Sequence, residues 1–263
     1  MEQATTCGYK RGDLLKLKGD NKRKKNIIII FIVFLILGIY PQEARAKGEK
    51  DWRKNFKGIA FWHGDPKKKE VALTFDDGPY PVYSQQILDV LKKYEVKAAF
   101  FVIGQNVRKY PWVVKRMAKE GHTIGNHTWT HRSIINRSQG WAQGEIGKTH
   151  QEILKVSKES AYFFRPPYGQ FSAKFFEVVE DYHYIVTFWS VDPSDYRRPG
   201  AKTIAYRVLN WVKPGSIIVL HDGGGNRSQT VKALPIIIEG LKKKGYKMVT
   251  LSQMFTLNNA VIK

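Results

Sequence analysis

From about residue 65 onward, short apolar runs alternate with segments of helical periodicity, and this alternation constrains the fold more than any other feature. It is typical of βα units arranged around a parallel sheet or barrel. Strands are predicted over residues 71–75, 98–103, 122–125, 162–164, 184–188, 216–220 and 247–250. About seven such units favour a barrel, in which the carboxyl ends of the strands hold the functional side chains.

Helices are predicted between these strands. Ser84 is expected to cap the first helix, while Pro111 and Gly121 are expected to bracket the second. Further helices are predicted around residues 143–158, 172–181, 202–212 and 229–243.

The N-terminal segment has the pattern of an export signal. Residues 1–26 are polar and basic, and an unbroken apolar run of 14 residues follows, from Ile27 to Tyr40. That run is shorter than the roughly 20 residues that span a bilayer and has the length of a signal-peptide core. Residues 27–46 are therefore predicted to be a signal peptide cleaved after Ala46. An uncleaved anchor, with residues 27–40 in the membrane, is the alternative because the leading segment is long. Either form places the folded domain outside the cytoplasm, in the cell wall or on the outer face of the cytoplasmic membrane.

The chain is strongly basic, with 44 Lys and Arg against 23 Asp and Glu. Residues 51–263 alone keep 33 against 18, a net charge of +15. An exported chain without a nucleic-acid motif fits an anionic cell wall better than nucleic acid. The only cysteine, Cys7, precedes the apolar run, so a metal bound by the folded part must use His and carboxylate ligands.

Asp76 and Asp77 directly follow the first predicted strand and precede Gly78 and Pro79. Side chains alternate faces along a strand, so the two carboxylates cannot share one task unless the backbone leaves the strand there, which Gly78 permits. One could then bind a metal while the other handles a proton. A solvated turn is an equally good interpretation of this stretch by itself.

His127 and His131 follow the third predicted strand, four residues apart. Two such histidines can meet one metal if the segment makes a helical turn, although the spacing can also arise by chance. Together with Asp77 they would form a site of two histidines and one carboxylate, open to water. A divalent cation there lowers the pKa of that water.

Arg165 opens the sequence Arg-Pro-Pro-Tyr-Gly, which also follows a strand. The two prolines fix the path of the chain where the arginine side chain leaves it. Arg165 could pair with Asp76, and the backbone N–H of Tyr168 could face a developing oxyanion. A proline-stiffened connection with a surface arginine is the alternative interpretation.

His221 ends another predicted strand and is the candidate general acid, because its ordinary pKa suits proton transfer near neutrality. A carboxylate such as Asp192 on its far nitrogen would fix the tautomer and favour the charged form. Histidines without such a partner are given a structural interpretation; these are His63, His122, His150 and His183.

Five motifs occur in order: Thr-Phe-Asp-Asp-Gly-Pro, His-Thr-x-x-His, Arg-Pro-Pro-Tyr-Gly, Asp-x-x-Asp-aromatic and Leu-His-Asp. This set resembles the NodB-homology polysaccharide deacetylases, among them bacterial peptidoglycan N-acetylglucosamine deacetylases, over about residues 68–255. Residues 47–67 are then a lead-in segment and residues 256–263 a C-terminal tail. The resemblance implies a deformed (β/α) barrel and a metal-dependent N-deacetylase.

The resemblance also implies the protein's own catalytic groups. Asp76 would be the general base, with Arg165 as its partner. His221 would be the general acid, with Asp192 as its orienting carboxylate, and Tyr168 would lend its backbone amide to the oxyanion.

The metal ligands implied by the resemblance are Asp77, His127 and His131. They would hold one divalent ion, Zn²⁺ in the first place, with Co²⁺ and Ni²⁺ as alternatives.

One position departs from the family, since its fourth motif usually closes with Trp where this chain has Tyr196. Tyrosine keeps an aromatic wall but changes the shape of the sugar subsite.

The substrate class follows from export, charge and the resemblance. N-acetylglucosamine of peptidoglycan is the first expectation, chitin-type oligosaccharides the second and acetylated xylan the third, with the protein acting as a monomer. A catalytically silent wall-binding protein on the same fold is the rival, and an intact base, ligand set and acid argue against it. A membrane-tethered structural protein is a third interpretation and rests only on residues 22–40.

Overall fold

The computed structural model describes residues 60–255 apart from Phe171, and leaves the side chains of Ala173 and Lys174 undescribed. The predicted basic segment 1–26, the signal or anchor 27–46 and the tail 256–263 lie outside these residues. Within the described part of the chain, no helix is long and apolar enough to cross a membrane.

Eight parallel strands form the centre of the described domain. They are β1 (Ala60–Phe61), β2 (Glu70–Asp76), β3 (Ala99–Val102), β4 (Thr123–Asn126), β5 (Phe163–Phe164), β6 (Ile185–Thr187), β7 (Ile217–His221) and β8 (Lys247–Met248). Their order is β1-β6-β5-β4-β3-β2-β7, and β8 pairs with the start of β2. The first strand lies inside the predicted lead-in segment and pairs with β6.

The row of strands curves until its two sides meet. Beyond β6, the backbone N–H groups of Ser190 and Val191 donate to the carbonyl oxygen of Ile217 in β7, at 3.0 and 3.1 Å. Val219 N–H donates back to the carbonyl oxygen of Val191 at 3.0 Å. Regular pairing is thus reduced to a short bridge on this side, and the predicted deformed (β/α) barrel is confirmed.

Helices surround the barrel between the strands. They are α1 (Tyr83–Lys93), α2 (Gly104–Lys109), α3 (Pro111–Lys119), α4 (Gln139–Ser157), α5 (Ala173–Asp181), α6 (Ala201–Trp211), α7 (Ser228–Lys243) and α8 (Leu251–Met254). Pro111 begins α3 as predicted, because a proline lacks only an N–H that the first helical turn leaves unbonded. The helix predicted at 143–158 starts earlier, where the hydroxyl of Ser138 accepts a hydrogen bond from Trp141 N–H.

The prediction that Ser84 caps the first helix is wrong. The N-cap position of α1 is Val82, which makes no capping hydrogen bond through its side chain. The Ser84 hydroxyl instead accepts from Tyr80 N–H and donates to the carboxylate of Asp222, 138 residues away in the chain. A long-range contact has replaced the local cap.

Strand β2 shows how the barrel places polar groups. Val71, Leu73 and Phe75 point outward into the core shared with the helices, whereas Ala72 belongs to a smaller apolar cluster inside the barrel. Since side chains alternate along a strand, Thr74 and Asp76 share the inner face with Ala72. The barrel interior is therefore apolar at the start of β2 and polar at its carboxyl end.

Candidate active site

Asp76 is paired with Arg165 inside the barrel. The Nη1 atom of Arg165 lies 2.7 Å from Asp76 Oδ1 and also donates to the hydroxyl oxygen of Thr74 at 2.8 Å. The remaining guanidinium nitrogens donate to the carbonyl oxygens of Thr187 and Phe188, at 2.9 and 3.0 Å. The arginine is fully buried, which lowers its pKa, while the charge of Asp76 acts in the opposite direction. A buried guanidinium with all its nitrogens bonded holds Asp76 in one orientation.

Asp77 leaves the strand and faces a different set of groups. Its φ angle is 73°, so the backbone turns at Asp77 itself, and its carbonyl oxygen accepts from Asn106 Nδ2 at 3.0 Å. Gly78 follows in a cis peptide with Pro79, and a Cβ on it would lie 2.2 Å from Asp222 Oδ2. The glycine therefore provides space, while the turn that separates the two carboxylates is made one residue earlier than expected.

The two histidines lie on either side of the Asp77 carboxylate. His131 Nε2 lies 3.2 Å from Asp77 Oδ1, and His127 Nε2 lies 3.6 Å from the same oxygen. His127 Nδ1 lies 2.7 Å from the carbonyl oxygen of Arg165. A carbonyl can only accept, so Nδ1 carries the proton and Nε2 turns a lone pair toward Asp77.

The segment between the histidines is not the helical turn that their spacing suggested. Residues 127–131 form an irregular loop in which Thr128 and His131 have φ angles of 67° and 56°. Asn126 Oδ1 accepts from Thr128 N–H at 2.9 Å, and the Thr128 hydroxyl accepts from His131 N–H at 3.1 Å. Local side-chain bonds thus bring the imidazoles together, with ring centroids 4.8 Å apart.

The three side chains fit a metal ion. Asp77, His127 and His131 each offer one ligand atom, and these atoms lie within 4.8 Å of one another. Among the described residues, buried Asp77 Oδ1 has no hydrogen-bond partner. Burial alone would raise the pKa of Asp77, but the nearby imidazoles of His127, His221 and His131, in their charged forms, lower it. Burial and then the charge of His127 lower the pKa of His131 to about 4. An ionised carboxylate beside a neutral imidazole is the donor set that a divalent cation requires.

His221 lies at the end of β7 and is held by Asp195. Its Nδ1 is 2.7 Å from Asp195 Oδ1, and its backbone N–H donates to Asp195 Oδ2 at 2.9 Å. The Thr230 hydroxyl donates to that second oxygen at 2.7 Å. Burial would lower the pKa of His221, but the hydrogen bond and charge of Asp195, with Asp76 and Asp77, raise it to about 9.

Asp192 does not occupy the position that the sequence suggested. Its Oδ1 accepts from Ser194 N–H at 2.7 Å within its own loop, and Asp195 takes the contact with His221. Asp195 is the first residue of a short 3-10 helix, Asp195–Arg197, which directs its side chain at the end of β7. Tyr196 follows, with its ring centroid 5.4 Å from the imidazole of His221.

Tyr168 lies at the rim of the site beside the metal ligands. Its φ angle is 59°, and its ring centroid is 4.7 Å from that of His131. The side chain is 64% exposed, so the ring forms part of an open wall. The predicted task of its backbone amide remains a proposal.

Two acidic residues near the site were missed. Asp222 is fully buried against Gly78. Burial raises the pKa of Asp222 to about 7, and the charges of Asp77 and Asp76 raise it further, whereas the hydrogen bond from Ser84 lowers it. Glu145 on α4 accepts hydrogen bonds from Thr130 in the histidine loop. Asp222 directly follows His221, which is a weak signal, whereas nothing in the spacing of Glu145 connects it to that loop.

Comparison with known proteins places these residues in a family. The profile described as polysaccharide deacetylase matches residues 63–186. A peptidoglycan-N-acetylglucosamine deacetylase of Bacillus cereus is 41% identical over 199 residues, which cover 75% of this chain and 93% of that protein. The peptidoglycan-N-acetylmuramic acid deacetylase of Bacillus subtilis is 40% identical over 190 residues, 72% of this chain and 39% of that protein.

A solved structure extends the similarity to three dimensions. The crystal structure of a peptidoglycan N-acetylglucosamine deacetylase in complex with an N-hydroxybenzamide compound superposes with a TM-score of 0.74 at 39% identity. The match covers 78% of this chain and 95% of that one.

Proposed function

This chain belongs to the polysaccharide deacetylase family, and from that premise we propose that it is a metal-dependent hydrolase that removes N-acetyl groups from cell-wall amino sugars. The observation that carries the proposal is the cluster of Asp77, His127 and His131 around an unpartnered carboxylate oxygen. The base and the acid inferred for the hydrolysis lie at the same end of the barrel.

Asp76 is the base that takes a proton from water. Its Oδ1 is bonded to Arg165, while its Oδ2 lies 3.9 Å from His127 Nε2 and faces the ligand set. Arg165 holds Oδ1 and so orients the carboxylate, which leaves Oδ2 to accept the proton. Asp77, His127 and His131 would hold a divalent ion, Zn²⁺ first with Co²⁺ or Ni²⁺ as alternatives, and that ion would polarise the acetamide and make water more acidic.

His221 delivers a proton to the leaving amine. With Nδ1 bonded to Asp195, Nε2 is the atom that can donate. Its raised pKa, about 9, keeps the ring protonated at neutral pH. The ring of Tyr168 lies 4.7 Å from that of His131, and the backbone amide of Tyr168 is the group proposed to support the developing oxyanion.

The substrate proposed is N-acetylglucosamine in peptidoglycan. Two relatives act, by name, on two different sugars of peptidoglycan, and the relative named for N-acetylglucosamine matches over 93% of its length. The net charge of +15 over residues 51–263 suits an anionic wall. Chito-oligosaccharides are the second candidate, since relatives of 36–37% identity are named chitooligosaccharide deacetylases.

Purified peptidoglycan fragments incubated with the metal-loaded protein test this function. Mass spectrometry should show loss of acetyl groups, and fragmentation of the glycan should place the free amine on glucosamine. Modification of muramic acid alone would correct the sugar. No acetate release from peptidoglycan or from chito-oligosaccharides would leave a silent wall-binding protein as the better account.

The proposed location is outside the cytoplasm, on the basis of residues 1–46. Protease added to intact, wall-stripped cells should digest the domain, and complete protection would contradict export. Retention of the domain in the membrane fraction would identify the anchored form over the cleaved one.

The protein is proposed to act as a monomer, and its mass in solution checks that.

A further inference from the structure

The histidine loop, residues 127–131, has a backbone that ordinary side chains disfavour. Thr128 and His131 are both in the left-handed region, where a Cβ crowds the neighbouring carbonyl. Such a conformation persists only when surrounding contacts fix it. The position of the His131 imidazole therefore depends on what holds this loop.

Glu145 makes side-chain hydrogen bonds from outside the loop to Thr130, the residue directly before His131. Its Oε2 accepts from Thr130 N–H at 2.8 Å, and both carboxylate oxygens accept from the Thr130 hydroxyl at 3.0 Å. Glu145 is 7% exposed, and its helix, α4, packs against β4, the strand that leads into His127. Helix α4 thus presents a carboxylate to Thr130, which directly precedes the metal-ligand candidate His131.

We propose that Glu145 is a positioning residue for the metal site, through Thr130, and this rests on the function proposed above. Its carboxylate fixes the loop so that His131 meets Asp77 within 3.2 Å before any ion arrives. The negative charge beside the ligand loop also favours a cation. Groups that orient metal ligands in this way typically change metal affinity by about 10–100-fold when removed.

The alternative is that Glu145 only helps α4 to pack. The same helix offers a matched control in Glu152, which is similarly buried but pairs with Arg108 at 3.2 Å. Its link to the histidine loop is indirect: the Arg108 guanidinium lies 4.5 Å from the centre of the Trp129 ring, while the hydrogen bonds of Glu152 go to Arg108 and not to Thr130. A packing role predicts that Glu145→Gln and Glu152→Gln behave alike. A positioning role predicts that only Glu145→Gln weakens metal binding.

The experiment measures the affinity of the full-length protein for Zn²⁺ by competition with a chromophoric chelator. Glu145→Gln should raise the dissociation constant by at least about tenfold, whereas Glu152→Gln should leave it unchanged. Thr130→Val removes the hydroxyl contact but keeps the backbone one, and should give a smaller rise that Thr130→Ser reverses. Circular dichroism confirms that each variant is folded; if Glu145→Gln does not fold, the pair at Thr130 decides.

Two results overturn the inference in distinguishable ways. Wild-type affinity in Glu145→Gln and Thr130→Val, beside a wild-type protein that binds zinc, overturns the positioning role and leaves the proposed function intact. A wild-type protein that binds no divalent ion overturns the proposed function together with this inference.

Discussion

The site contains two histidines, His131 and His221, whose pKa values are shifted in opposite directions. On the metal side, burial and a neighbouring imidazole lower the pKa of His131 to about 4. On the acid side, Asp195 raises the pKa of His221 to about 9 despite burial. The difference lies in the carboxylates: both oxygens of Asp195 are bonded within the protein, whereas Asp77 Oδ1 has no partner among the described residues.

This contrast indicates that a cation would be stabilised beside Asp77 and not beside Asp195. A buried carboxylate oxygen without a donor is costly, and the neutral imidazole of His131 beside it can contribute a lone pair but no charge. The metal side is therefore complete only with a cation from outside. The acid side already carries its own positive charge on His221, with Thr230 bonded behind Asp195.

The largest effect should come from breaking the metal side with His127→Ala. Removal of a ligand should cost more metal affinity than the roughly 10–100-fold typical of groups that only orient ligands, and acetate release should fall to background. Elemental analysis after gel filtration measures the bound metal. Asp76→Asn is the control, since it should keep a full complement; equal metal in both variants would contradict the division of tasks between Asp76 and Asp77.

The next effect belongs to the base itself. Asp76→Asn keeps the shape of the side chain but removes the proton acceptor, so kcat should fall by about 10²–10⁴. Metal content and affinity for an unreactive glycan should stay near wild type. Near wild-type turnover by this variant would refute the assignment of the base, and the absence of turnover in the wild type as well would favour the silent binding protein.

A smaller effect, visible mainly in its pH dependence, should follow from Asp195→Asn. Because Asp195 raises the pKa of His221, its loss should move that pKa down from about 9 toward the ordinary value of 6.5. A general acid works while protonated, so activity is kept below this pKa and lost as the pH rises through it. The alkaline limb of the kcat profile should therefore move to lower pH in the variant. An unshifted limb would mean that Asp195 does not control the acid.

Much of this arrangement could be predicted from the sequence because it depends on local pattern. The apolar run of β2 ends at Asp76, directly before Asp77, and the end of each strand marks where the polar motifs lie. The failures depend on contacts between distant residues. Asp222 takes the hydroxyl of Ser84, and Glu145 and Asn126 hold residues 127–131 out of a helical turn.

The choice between Asp192 and Asp195 failed for a related reason. Both are acidic, they lie three residues apart in one loop, and spacing gives no means of telling which one faces β7. The 3-10 turn at Asp195–Arg197 decides the matter, because it begins at Asp195 and directs its carboxylate at both the backbone and the ring of His221. A turn of this length has no strong sequence signature.

The smallest effect is predicted for Asp192→Asn, which tests whether Asp195 alone orients His221. Burial raises the pKa of Asp192, and its Oδ1 is occupied by Ser194 N–H, so it shapes its loop without a hydrogen bond to the catalytic ring. Asparagine can accept the same backbone bond, and kcat should therefore change by less than about tenfold, under ~1.4 kcal/mol of barrier. The alkaline limb should stay close to that of wild type, because the Asp195 contact that raises the pKa of His221 remains. Parallel kcat profiles of Asp192→Asn and Asp195→Asn give the test. If Asp192→Asn shifted the limb as far as Asp195→Asn does, both carboxylates would control His221, and the assignment of one orienting partner from the 2.7 Å contact would fail.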